Sequence, residues 1–443
     1  MITITPLDAW IRRKICSNPA LSGESFLADL ESYQLSKINK TIEYARQNTG
    51  FYRNRLDLVK PLKCLSDITA IPFTESLELN HKPFDFLAVS QHEVARIVTL
   101  RTSGSTGSTK RLFFTEADLE LTIDFFRYGM STLVQPGQKV AVLLPGEKPD
   151  SVGDLLRKGL LRMNVEVLSY GPVSDPDHAA EIIGSFQADC LVGIPTQVLA
   201  IARSRSASKL NCVRNILLST DYVPRAIAGA LSNIWGCRVF NHYGMTEMGL
   251  GGGVDCEDLG GYHLREADLY FEIVDRITGD PCPAGTIGEV VFTTLTRQGT
   301  PLIRYRTGDV ARMLPEPCRC GTVLRRMDWV RGRWNGIVQI SPTNSLLLSE
   351  LDEVLFELPQ VLDYRVTTTK REGALQLHLD VYTMEDRHPS TTPIIEQICR
   401  IQAIQTGIAS GEFLFPTVAF SPEARLITNG TSKRQIAIDN FEG

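Results

Sequence analysis

The segment Thr102-Ser103-Gly104-Ser105-Thr106-Gly107-Ser108-Thr109-Lys110 follows an apolar run, VARIVTL (94–100), that reads as a strand. Two glycines let backbone approach a ligand closely, and consecutive amides form an anion-binding concavity. The hydroxyls add hydrogen bonds and Lys110 adds positive charge, so phosphate is the expected ligand, with a solvated Gly/Ser linker as the alternative. The spacing is not that of the G-x-x-x-x-G-K-[ST] loop, because Ser-Thr-Lys follows Gly107. A second segment, Asn241-His242-Tyr243-Gly244-Met245-Thr246-Glu247, follows the strand-like CRVF. It offers a stacking face, a hydroxyl and an oxygen ligand suited to Mg²⁺; taken alone, a bland strand-end turn is the favoured reading. A third, Arg304-Tyr305-Arg306-Thr307-Gly308-Asp309, places a carboxylate after a turn, where it could hold a sugar diol or a surface salt bridge.

Four further residues have the composition of a closed structural zinc site, three thiolates and one imidazole. They are Cys256, His263, Cys318 and Cys320. Cys-x-Cys is less typical than Cys-x₂-Cys, but here it lies in a proline-flanked tight turn, PEPCRCG. The alternative is four unrelated side chains. Cys282 is a weaker fifth candidate, and His242 is better suited to orienting its loop or bordering an acyl pocket than to binding metal.

The elements that must carry these residues alternate between about 95 and 310. KVAVLLPG, VEVLSYG, DCLVGIP, NILLST and CRVF read as strands, with HAAEIIGSFQ and RAIAGALSNIW as helices between them. Such alternation predicts an α/β sheet covered by helices. Leu27, Leu30, Leu35, Ile38 and Ile42 recur at helical spacing and predict an amphipathic helix over 26–48. From about 270 the pattern turns to β-strands and turns. After Arg333 a smaller α+β unit is expected, with a helix near 348–357, paired strands, and a helix near 393–405.

The chain has 443 residues, 43% hydrophobic and 22% charged, which fits a globular protein of two to four domains. A net charge of −5 supplies no global field toward nucleic acid, and no apolar stretch approaches the ~20 residues of a membrane span. Neither nucleic acid nor membrane is therefore an expected partner. The N-terminal MITITPLDAWIRRKIC lacks an export pattern, and ten cysteines then read as thiols in a reducing compartment, the cytoplasm. No G-x-S-x-G, H-E-x-x-H or strand-borne G-x-G-x-x-G is present, which argues against the hydrolase, zincin and nicotinamide classes.

Taken together and in order, the three segments resemble the AMP-forming acyl-CoA synthetase (adenylate-forming) superfamily, and within it the phenylacetate–CoA ligase family. TIEYARQNTGFYRNRL, PFDFLAVSQHEVARIVTL, PLIRYRTGDV, Cys-x-Cys-Gly and Gly332-Arg333 also fall in that family's order. The resemblance implies a large N-terminal adenylate-forming domain, 1–333, of α/β subdomains plus a β-rich subdomain. A small mobile α+β domain, 334–443, would rotate about the junction.

It also implies a reaction: a small carboxylic acid, aryl or acyl, is activated by ATP as acyl-AMP and passed to coenzyme A. Loop 102–110 would cradle the β,γ-phosphates, with Lys110 among the contacts. Tyr243 would lie against adenine, Thr246 near the α-phosphate and Glu247 on Mg²⁺, with Asn241, His242, Gly244 and Met245 shaping that motif. Asp309 would accept from the ribose hydroxyls, and Arg333 would sit beside ribose and phosphate. Nine arginines and no lysine fall in 297–333; a solvated basic surface and a set of planar donors for nucleotide and CoA phosphates explain the run equally well, and only Arg333 and Arg306 are assigned to the site. Some members carry the Cys-His and Cys-x-Cys pattern, which implies structural Zn²⁺. Glu247→Gln is expected to abolish activity with little loss of stability.

The C-terminal match departs from the family. The hinge aspartate is Asn335, the thiol-tunnel glycine loop corresponds to Ser341-Pro342, and the catalytic lysine of Gly-Lys-x-x-Arg falls on Thr431 in Gly430-Thr-Ser-Lys433-Arg434. Lys433, two residues later, is the candidate replacement, or a tail lysine. Two alternatives follow: an adenylating enzyme that uses another acceptor or stops at the adenylate, and a non-catalytic nucleotide-binding descendant. Retention of Lys110, Glu247 and Asp309 argues against the latter. A homodimer is left open.

Overall fold

The computed structural model describes residues 5–15, 23–101, 109–371, 373–383, 390–421 and 434–438. The chain divides into two units. One comprises Met1–Gln135, Lys148–Asn164 and Asn241–Val330; the other comprises Pro136–Glu147, Val165–Phe240 and Arg331–Gly443.

In the first unit the amphipathic helix runs over Gly23–Asn48 and buries Phe26, Leu30, Ile38, Ile42 and Ala45. Gln34 shares that stripe, and its amide donates to the Glu266 carbonyl at 3.0 Å, so a polar residue belongs to the buried face. Strands Arg96–Arg101 and Thr109–Phe114 form an antiparallel hairpin with Arg101 opposite Thr109. Leu269–Val274, Gly288–Thr294 and Tyr305–Ala311 form a three-stranded antiparallel sheet. The end of strand Arg238–Tyr243 pairs with Gly253–Asp255, which pairs with Tyr262–Leu264.

In the second unit, Lys139–Val142, Glu166–Ser169, Cys190–Gly193 and Asn215–Leu218 are parallel, the connection expected when helices alternate with strands. The central strands Cys190–Gly193 and Asn215–Leu218 are buried throughout. Residues 331–443 bring a long hairpin, Val361–Arg371 with Ala374–Thr383, and helices Leu348–Leu355, Thr392–Cys399 and Gln402–Ser410. The single helix expected near 393–405 is thus two. Ile401, buried and extended (φ −64°, ψ 124°), separates them.

One apolar core joins both parts of this unit, including Leu199, Ile201, Ile227, Leu351, Phe356 and Val361. Polar contacts complete the seam. Helix Arg225–Trp235 begins after Pro224, which offers no side-chain cap. Glu353 supplies one, accepting from the amides of Arg225 (3.1 Å) and Ala226 (3.2 Å) and from the Tyr222 hydroxyl (2.5 Å). Arg203 donates to the carbonyls of Phe356 (2.7 Å) and Leu358 (3.1 Å). Among the described residues no helix is long and apolar enough to cross a membrane.

Candidate functional site

The hairpin register places Leu100 opposite Lys110, so Lys110 leaves from a fixed strand position beside the loop it follows. Thr102, Ser103, Gly104, Ser105, Thr106 and Gly107 lie outside the described residues. Lys110 is buried, and its ammonium has three N–H donors and three oxygen partners. These are Glu247 Oε1 at 2.6 Å, Ser76 Oγ at 2.7 Å and the Tyr305 hydroxyl at 2.9 Å. Tyr305 in turn donates to Glu247 Oε1 at 3.2 Å. Glu247 is 3% exposed. Lys110, expected as a phosphate contact, is therefore the charge partner of the Glu247 carboxylate. Ser76 and Tyr305 were not singled out by the sequence reading; Ser76 belongs to no motif, and Tyr305 is overshadowed by Asp309 in its own.

A second contact joins the other two motifs. The Tyr243 hydroxyl donates to Asp309 Oδ2 at 2.8 Å, and its ring stacks on Tyr262 with centroids 5.6 Å apart. Asp309 is fully buried. Its position depends on Gly308, at φ +75°, whose amide donates to Glu289 Oε1 at 3.0 Å. Gly244 is fixed by a close approach: a Cβ there would lie 2.3 Å from the Leu250 carbonyl oxygen, where the loop folds back. The Leu250 amide closes that loop on the Met245 carbonyl at 2.9 Å, and half-buried Thr246 opens the short turn Thr246–Met248.

Most of the arginine run is absorbed by structure. Arg304 pairs with Glu272 at 2.9 Å, Arg312 with Asp328 at 3.0 Å and Arg325 with Glu266 at 2.7 Å. Arg306, assigned to the nucleotide, is engaged by Glu289, with Nε 2.9 Å from the carboxylate. Arg297 donates to the Glu247 carbonyl at 3.2 Å, and burial pushes its pKa down to about 10. No sequence signal separates it from its neighbours. Arg333 lies in the second unit, preceding the turn Trp334–Gly336. Lys433 lies outside the described residues.

The His242 ring packs near Phe126 (centroids 6.0 Å) and Phe125 (6.3 Å). Burial, and then the Arg265 guanidinium, push its pKa down to about 4. Below its ordinary value near 6.5 the unfolded chain takes up a proton that the folded ring refuses. His242 thus costs stability as pH falls from about 6.5 toward 4 and costs none above that window. Between pH 7 and pH 5, His242→Phe is expected to lose about 1–2 kcal/mol less than the native chain, measured by urea midpoints. Equal losses would show that the ring titrates normally.

The ligand atoms of Cys256, His263, Cys318 and Cys320 all lie within 4.8 Å of one another. Cys256 Sγ is 3.5 Å from Cys318 Sγ, and Cys320 Sγ is 3.7 Å from His263 Nε2. Strand Tyr262–Leu264 presents His263 opposite Arg326, and the loop after Asp255 presents Cys256. Burial raises the Cys256 and Cys320 thiols, the latter to about 11, and lowers His263 to about 4, with Arg326 the second cause for the imidazole. The Asp258 amide points to Cys256 Sγ at 3.4 Å, the donation a thiolate ligand requires. His263 Nδ1 is buried with no hydrogen-bond partner among the described residues. Three soft sulfurs and a neutral imidazole at this separation fit a tetrahedral cation. Cys282 is not part of the cluster.

A family model described as AMP-binding enzyme matches residues 88–295. The chain is 29% identical over 365 residues to a phenylacetate-coenzyme A ligase of Thermus thermophilus, covering 78% of this chain and 79% of that protein. It is 28% identical over 390 residues to the enzyme of that name from Escherichia coli, covering 84% and 86%. Its fold matches 2-hydroxyisobutyryl-CoA ligase in complex with R3-HIB-AMP, at TM-score 0.76 and 19% identity over 93% of this chain and 90% of that one. It also matches that ligase in complex with 2-HIB-AMP and CoA, at TM-score 0.65 and 20% identity over the same shares, 93% and 90%. Fold and strand-end site define an adenylate-forming, AMP-binding enzyme. Within that class the chain is similar, over most of its length, to AMP-forming phenylacetate–CoA ligases.

Proposed function

We propose that the chain activates a carboxylic acid with ATP as an acyl adenylate, releases pyrophosphate, and passes the acyl group to the thiol of coenzyme A. The observation that carries this reading is the convergence of Lys110 with Glu247, 137 residues away, and Tyr305, 195 residues away. The Tyr243–Asp309 contact links the same motifs at a second point. A carboxylate is a poor electrophile and AMP a good leaving group, so the protein's task is positioning and charge stabilisation. Loop 102–108 would meet the β,γ-phosphates, Tyr243 the adenine face, Thr246 the α-phosphate and Asp309 the ribose hydroxyls. Glu247 would hold Mg²⁺, which supplies charge neutralisation to the phosphates when bound. An aryl acid is proposed because the relatives are named for phenylacetate.

Residues 334–443 are proposed as the mobile domain, turning at the junction that follows Arg333, with Lys433 reaching the reacting carboxylate. Cys256, His263, Cys318 and Cys320 are proposed to hold a structural Zn²⁺. With four protein ligands the ion has no open position, and its role is to pin two loops. The cytoplasm is the proposed compartment.

The test is ATP–pyrophosphate exchange over a panel of aryl and short-chain acids, followed by thioester formation with coenzyme A. Acid-dependent exchange and acid-dependent consumption of the thiol are expected. Exchange without thiol consumption would instead favour another acceptor, the reading kept alive by Thr431 at the lysine position. Absence of both exchange and AMP binding would overturn the proposal.

A further inference from the structure

Asp255 ends the strand Gly253–Asp255 and is 1% exposed. It receives donors on both carboxylate oxygens. Oδ1 accepts from the Trp329 indole Nε1 at 2.9 Å. Oδ2 accepts from the Asn241 backbone amide at 2.8 Å and from Asn241 Nδ2 at 2.9 Å. The Gly261 amide is a further donor.

An indole N–H and a backbone N–H cannot exchange donor for acceptor, so they fix Asp255 as an acceptor at both oxygens. The side-chain amide of Asn241 is not symmetric in this way. Facing an acceptor already held in place, it must turn its Nδ2 toward Asp255, which leaves its carbonyl Oδ1 as the end available to anything else. Asn241 is itself buried, and it opens the motif that contains Tyr243.

We infer that Asp255 is a positioning residue for base selection. By fixing the amide of Asn241 it makes the nucleotide site present an acceptor, and so favours a base that offers an exocyclic amino donor over one that offers a carbonyl. Adenine carries N6–H₂ where guanine carries O6. This inference rests on the nucleotide reading of the site. It assigns Asp255 no contact with the reacting atoms; its action passes through Asn241. A polar group aimed at the wrong partner discriminates strongly in a buried site, because the mismatched acceptors are both left unpaired.

The Asp255→Asn substitution is diagnostic because Trp329 still requires an acceptor. The introduced amide offers one oxygen where the Trp329 indole and the Asn241 backbone amide each require one, so the Nδ2 of Asn241 is no longer drawn inward and its Oδ1 is no longer the end held outward. Affinities for AMP and GMP, measured by calorimetry on the native chain, Asp255→Asn, Asn241→Ala and Trp329→Phe, test the inference. The native chain is expected to prefer AMP by at least about 100-fold, a preference that Asp255→Asn and Asn241→Ala each reduce to about 10-fold or less. Trp329→Phe, which leaves the Oδ2 contacts intact, is expected to keep the native ratio within about twofold.

A purely structural role for Asp255 would weaken both nucleotides equally and leave the ratio unchanged, which would overturn the inference. So would an equal fall of the ratio in Trp329→Phe, or native binding without preference. If Asp255→Asn does not fold, Asn241→Ala decides: a retained ratio overturns the inference and a lost ratio supports it. A native chain that binds neither nucleotide would overturn the site reading together with it.

Discussion

Glu247→Gln is expected to reduce acid-dependent ATP–pyrophosphate exchange by about 10³-fold and, at the same time, to lower stability substantially. The first effect follows from the proposed role of Glu247 in holding the ion that balances phosphate charge; deleting a single preorganised group of this kind costs on the order of 10²–10³-fold. The second follows from the geometry around Lys110, and it corrects the expectation drawn from sequence alone. With both partners buried and 2.6 Å apart, loss of the carboxylate strands an ammonium among Ser76 and Tyr305 oxygens that cannot neutralise it. Breaking a buried pair from one side costs about 3–5 kcal/mol. Thermal unfolding of the single variant and of Lys110→Met/Glu247→Gln separates the two effects. The double variant is expected to recover much of the lost stability and none of the exchange. Near-native exchange in Glu247→Gln would remove Glu247 from the active site.

Cys318→Ser is expected to abolish zinc content and destabilise the first unit. About one equivalent of zinc by elemental analysis is expected in the native chain and less than about 0.2 in the variant, with Cys282→Ser retaining the full complement. The cluster ties Cys256 to Cys318 across 62 residues of chain. A cross-link closing a loop of that length removes roughly 4 kcal/mol of unfolded-state entropy in the simplest chain model, which sets the scale of the loss. A chelator should reproduce the shift in melting temperature in the native chain and have no effect on the variant. Less than half an equivalent of zinc in the native chain would sink the four-ligand proposal.

The parts of the site that could be read from sequence are those in which reactive groups lie close together along the chain. Asn241 to Glu247 and Arg304 to Asp309 each place several functional types within seven residues, so their chemistry is visible without a fold. The Cys/His set was legible for a related reason, since few unrelated combinations supply three thiols and an imidazole. The supporting residues were not. Ser76, Tyr305, Arg297 and Asp255 act through partners that strand pairing and loop closure bring to them, and their local sequence resembles ordinary turns and strands. The arginine run shows the converse: its density left anion binding and a solvated surface equally open, whereas Glu272, Glu289, Asp328 and Glu266 pair with four of its members. In the fold, periodicity located the strands of the parallel sheet, but it could not see Ile401 leave the helical region, because a buried isoleucine fits either conformation.

The strand Tyr305–Ala311 has buried residues at every second position, among them Tyr305 and Asp309. Between them the strand bulges at Gly308, φ +75°, where its register against Gly288–Thr294 shifts, and the bulge leaves both side chains buried. This strand is therefore a molecular ruler, fixing the separation of the Lys110 cluster from the Tyr243 contact in units of backbone rather than of side chain. Its tolerance to evolutionary change is correspondingly lopsided. Val310, on the alternate face, can be exchanged without altering the measure, but Gly308 cannot give up its φ of +75°, and insertion or deletion of a single residue would turn one of the two ends away from the interior. Redesign for a longer or shorter cosubstrate would have to come from the loops at either end of the ruler, leaving its length alone.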